Sequence, residues 1–151
     1  SEMSYATGRQ MTRPAISHAY TADHIADLVH HVFQGRVEFH DGEVELEPGL
    51  SVHHVGGHTQ GLQVVRVWTQ VGWIVLASDA SHYYENMQAD RPFVIVWNQG
   101  EMLDAFRTMR RLADDPDCIV PGHDPKVFDR YPAVDGQKGM VVRLDVMPTR
   151  G

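Results

Sequence analysis

A chain of 151 residues with 42% apolar content is long enough to bury a core as one domain, residues 1–151, and is not disordered along its length. Thirteen basic against twenty acidic residues give a formal charge of −7, which disfavours nucleic acid and anionic membrane as partners and favours a small molecule of low charge. A single cysteine, Cys118, excludes an internal disulfide, no apolar run reaches the roughly 20 residues that span a bilayer, and no basic-then-apolar leader pattern is present, so a cytoplasmic setting is expected.

Residues 1–14 carry no clear period and read as loop with a helical turn. Thr21 is a candidate N-cap, and Ile25, Leu28, Val29 and Val32 fall at i, i+3, i+4 and i+7, which predicts an amphipathic helix ending near Gly35. His24, His30 and His31 lie toward its polar side. Residues 36–40 and 43–46 flank Asp41-Gly42, a short hairpin signal, with Glu43, Glu45 and Glu47 on a solvent face. Pro48-Gly49 then turns the chain.

From Leu50 the pattern alternates with period 2 until Gly56-Gly57-His58-Thr59-Gln60-Gly61, so a strand feeds a glycine-framed histidine loop. Alternation sends His53 and His54 to different faces. Two strands follow, 62–69 and 73–78, around Gln70-Val71-Gly72; the second is almost continuously apolar, as strands buried on both faces are, and delivers Asp79 at its end. Residues 81–87 suit a loop or short helix beside a site. Phe93 to Trp97 reads equally as strand or apolar wall. Met102, Leu103, Phe106, Met109 and Leu112 describe a second amphipathic helix, stopped by Asp114-Asp115-Pro116. Residues 118–120 form a short buried strand opening onto Pro121-Gly122-His123-Asp124, and 141–146 is a candidate edge strand. Helical and strand segments alternate, which gives an α/β fold class.

Taken singly, His58 is a polar loop residue, Asp79 a helix cap and His123 a turn residue. As an ordered set at strand ends they make another chemistry available. Two imidazoles and a carboxylate suit zinc or a related divalent ion, which takes His nitrogen and Asp oxygen at about 2.0–2.2 Å.

Gly57-His58-Thr59-Gln60-Gly61, Ser78-Asp79-Ala80 and Pro121-Gly122-His123-Asp124 resemble, in order and interval, the last three metal-ligand motifs of the metallo-β-lactamase superfamily. Asp79-Ala80-Ser81 with Glu85-Asn86, and the early Glu2-Met3-Ser4-Tyr5-Ala6, are similar to its N-acyl homoserine lactonase-like branch. The resemblance implies part of an αββα sandwich and a metal-dependent hydrolase that opens a lactone ring. Thioester or phosphodiester hydrolysis, and a non-catalytic metal-binding or interaction domain, are the alternatives on the same scaffold. It also implies a zinc pair in the parent enzyme, with His58 on one metal, His123 on the other and Asp79 bridging them. The superfamily's first motif, HxHxDH, does not occur, and Gln60 and Gln63 stand where Pro and His are usual. The expectation is therefore a C-terminal portion of a longer hydrolase, with partial or no metal binding, no activity alone, and a homo-oligomer that covers the sheet. His82 stands where lactonase-like relatives often carry a phenol that contacts the substrate carbonyl. Asp79 and His82 are thus the candidate catalytic residues, with Tyr83 and Tyr84 as candidate substrate contacts.

Overall fold

The computed structural model describes residues 1–18 and 20–149. The chain divides into two compact units, Ser1–Asp41 and Gly42–Gly151. The first is helical: α1 (Glu2–Ala6), a 3-10 turn (Arg9–Thr12), α2 (Pro14–Ser17) and α3 (Ala22–Phe33). Residues 1–14 are thus more helical than their lack of period suggests. The Tyr5 and Tyr20 rings meet edge to face at 5.9 Å, and the Tyr20 hydroxyl donates to the Glu2 carboxylate. Thr21 occupies the N-cap of α3 but makes no side-chain capping bond. The apolar stripe of α3 is only half-buried at Ile25, Leu28 and Val32, and Phe33 is 88% exposed.

The second unit carries a five-stranded sheet in the order β1-β2-β3-β4-β5, with β1 (Glu43–Glu47), β2 (Leu50–His54), β3 (Gln63–Thr69), β4 (Gly72–Ser78) and β5 (Ile119–Pro121). The first four strands pair antiparallel; β5 lies parallel to β4, reached through α4 (Tyr84–Gln88) and α5 (Gln99–Leu112). The α6 helix (Lys126–Arg130) follows β5. Met102, Phe106, Met109 and Leu112 of α5 share one buried cluster with Val64, Val75, Ala77 and Ile119 of the sheet. Helix period and strand period converge on that face, as an α/β layer requires.

Three expected elements differ. Residues 36–40 form no strand, and the hairpin joins β1 to β2 instead, across Pro48-Gly49. Gly49 has φ +82°, a conformation open to glycine, and its carbonyl accepts the Trp68 amide at 2.8 Å. Gly42 does not turn a hairpin; its carbonyl accepts the His54 amide and prolongs the β1–β2 ladder. Residues 141–146 contribute one isolated bridge, Ala133 to Val142, where an edge strand was expected. Phe93 to Trp97 is irregular backbone whose bonds go to the histidine loop.

Candidate metal centre

The glycine-framed loop after β2 is pinned against the start of α5. Gly57 has φ +87°, and a Cβ there would stand 2.7 Å from the Met102 Cα. Only hydrogen fits, so the loop backbone can touch the helix backbone. Asn98 caps α5 by accepting the Gly100 and Glu101 amides, and the Glu101 carboxylate accepts the Gly57 amide at 3.3 Å. Irregular residues 93–98 close the other side: the Trp97 amide donates to the carbonyls of Gly57 and His58 at 2.8 and 3.0 Å, and the Asn98 amide donates to Gly57 at 3.0 Å. His58 Nδ1 then lies 2.8 Å from the Ile95 carbonyl. A carbonyl can only accept, so Nδ1 carries the proton and Nε2 keeps a free lone pair. This is the tautomer that outer-shell carbonyls impose on metal-binding imidazoles.

Asp79 and His123 follow the C-terminal ends of the adjacent parallel strands β4 and β5, where open α/β sheets commonly place their ligand sites. Gly122 lets these two ends close, since a Cβ on it would be 2.6 Å from the Ser78 carbonyl oxygen. Ser78 itself has φ +47°, unusual for a residue with a side chain. The Gly122 and His123 amides donate to the Ser81 and His82 carbonyls at 3.0 and 2.9 Å, tying the two loops together. Asp124 accepts the Tyr84 and Lys126 amides, both at 3.0 Å.

The side chains meet in one place. His123 Nε2 is 2.7 Å from Asp79 Oδ1, and His82 Nε2 is 3.4 Å from the same oxygen. His58, Asp79 and His82 each offer a ligand atom, all within 4.8 Å of one another. The His82 ring lies flat on Phe93, with centroids 3.7 Å apart and planes 14° apart, and meets the His123 ring edgewise at 4.6 Å. Burial, followed by the neighbouring charge of His123, pushes the His82 pKa below the usual histidine value against the opposing pull of Asp79. Imidazoles and one carboxylate form a donor set that fits zinc or a similar N/O-binding divalent ion.

No family model matches the chain. A curated N-acyl homoserine lactonase from Bacillus sp. is 29% identical over 98 residues, covering 60% of this chain and 39% of that protein. The solved structure of an N-acyl homoserine lactone hydrolase, with the product N-hexanoyl-L-homoserine at its catalytic metal centre, superposes with TM-score 0.54 at 24% identity, over 61% of this chain and 37% of that one. Over these parts the chain is similar in sequence to the first of these proteins and shares its fold with the second. It shares the fold as well with a probable metal-dependent hydrolase from Staphylococcus aureus, at TM-score 0.51 and 14% identity over 66% of this chain and 35% of that one. The chain thus spans about two fifths of the length of these two proteins.

The two phenols beside the centre have different surroundings. Tyr83 is 49% exposed, with its ring 6.5 Å from that of His82, and is open to a ligand. Tyr84 is 3% exposed beneath the Arg130 guanidinium, 4.4 Å from its ring centroid. The expectation that Tyr84 contacts substrate is corrected by that burial: the first residue of α4 turns inward, into the cluster with Met87 and Phe106. Ile95 and Phe93, which orient His58 and His82, were not identified from the sequence as site residues. A carbonyl acceptor leaves no trace in residue type, whereas the Asn98…Glu101 pair that anchors the loop is a legible cap signal.

Proposed function

We propose that the protein to which these residues belong is a metal-dependent hydrolase that opens a lactone ring, with N-acyl homoserine lactones as the first substrate class. The observation that carries this reading is the convergence of His58, Asp79, His82 and His123 at the ends of β2, β4 and β5 in a relative of lactonases. His58 would hold zinc through Nε2 and Asp79 through its carboxylate, with His123 as a further donor beside Asp79 Oδ1. A bound ion there supplies a Lewis acid for the ester carbonyl and lowers the pKa of water toward ~7. The remaining work falls to the chain. The Ile95 carbonyl holds the His58 tautomer, Phe93 fixes a ring plane, and the exposed Tyr83 hydroxyl stands ready to meet the substrate.

The net charge of −7 favours an uncharged acyl substrate over a phosphodiester, since the field of an acidic chain repels polyanions. The test compares lactone ring opening with phosphodiester cleavage by the full-length protein loaded with zinc. The expected result is faster lactone turnover, abolished by Asp79→Ala. Faster phosphodiester turnover would reverse the reading.

A further inference from the structure

We propose that His82 is itself a metal ligand, bound through Nε2 to the same ion as His58 and Asp79. The inference rests on the metal-centre reading above and deepens it, because the position gives His82 a different task from the substrate contact expected of it.

Three observations carry the assignment. The first is reach. The His58, Asp79 and His82 donor atoms lie within 4.8 Å of one another, and ligands around a tetrahedral zinc at 2.0–2.1 Å stand about 3.3 Å apart. Small side-chain rotations close the difference. The second is aim. His82 Nε2 points at Asp79 Oδ1 from 3.4 Å, while Phe93 covers the flat of its ring at 3.7 Å and prevents it from swinging outward. A substrate-contacting donor has to face open space; this side chain is 18% exposed, whereas neighbouring Tyr83 is 49% exposed. The third is backbone. The His82 carbonyl accepts the His123 amide at 2.9 Å, and the buried Ser81 hydroxyl donates to the Tyr83 carbonyl at 2.9 Å, so both flanks of His82 are fixed.

Two imidazoles and one carboxylate on a single ion leave a fourth position open, the arrangement typical of catalytic rather than structural zinc. His123 Nε2, 2.7 Å from Asp79 Oδ1, stands beside this set as the further donor.

The deciding experiment follows the imidazole nitrogens of the wild-type 151-residue chain by long-range 1H–15N spectra as one equivalent of zinc is added. The His58 and His82 Nε2 resonances are expected to move together to metal-bound positions. In parallel, His82→Phe, which keeps a ring to stack on Phe93, is expected to weaken zinc binding by more than the ~10–100-fold that loss of an outer-shell partner costs. If His82→Phe fails to fold, the wild-type spectra still decide. Zinc binding that leaves the His82 nitrogens unmoved, or is undiminished in His82→Phe, would overturn the assignment while leaving the metal centre intact. A chain that binds no zinc would overturn both.

Discussion

His53 and His54 are adjacent and have opposite fates. His54 Nε2 donates to the Gln60 carbonyl at 2.9 Å from an exposed position, while His53 is 4% exposed, between Ser51 Oγ at 2.9 Å and the Glu43 carboxylate at 3.5 Å. Burial pushes the His53 pKa down, and Arg66 adds to that, against an upward pull from Glu43. The folded pKa lies below the unfolded value, so between the two the unfolded chain holds more protons and stability rises with pH. The contribution is complete above about pH 6.5 and is lost as pH falls through the folded pKa. Denaturant unfolding from pH 5 to 8 is expected to show this fall for the wild type, and a flatter profile for His53→Gln. Parallel profiles would mean that His53 carries none of it. Gly57 offers a second residue-scale test. Gly57→Ala combines left-handed backbone strain with a Cβ 2.7 Å from the Met102 backbone, and a loss of roughly 2–4 kcal/mol is expected. Gly136→Ala has the same sign of φ and no atom within 4 Å of the new Cβ, so its loss should be about 1 kcal/mol. Equal losses in thermal or denaturant melts would remove the close approach as the reason for Gly57.

At the scale of elements, the sequence was most informative where one period persists. The methionine, phenylalanine and leucine stripe of α5 and the apolar run of β4 were legible because each repeats the geometry of the face it buries. So were the strand ends carrying His58, Asp79 and His123, since each period breaks at a Gly or polar residue. The hairpin at Asp41-Gly42 was misread because a turn signal is satisfied locally while a strand needs a partner edge, and β1 takes its partner from β2. Residues 93–97 were undecidable in a deeper sense. Their apolar side chains look like a strand, yet Val94 is 94% exposed, and the segment's role lies in backbone groups: the Ile95 carbonyl on His58 and the Trp97 amide on the loop. Backbone function has no residue code. His82 was visible as a site residue, but the choice between substrate contact and ligand depended on Phe93, a contact across eleven positions that no periodicity announces.

Over the whole molecule, the described residues place the polar chemistry of the second unit at one end of its sheet and keep the sheet margins poor in pairing potential. β1, at one edge, carries Glu43, Glu45 and Glu47, and β5, at the other, has three residues and ends in proline. Charge and proline at edges oppose strand-to-strand association. Among the described residues, no helix is long and apolar enough to cross a membrane. The acidic balance, the buried α5 layer and the converging imidazoles are the features on which the proposed divalent-ion site for an uncharged carbonyl substrate rests. Zinc stoichiometry by equilibrium dialysis, on the 151-residue chain and on its Asp79→Ala variant, tests that claim most directly. Saturable binding of one zinc per chain, lost when the shared carboxylate is removed, is expected; no saturable binding, or undiminished binding in Asp79→Ala, would contradict the proposed site.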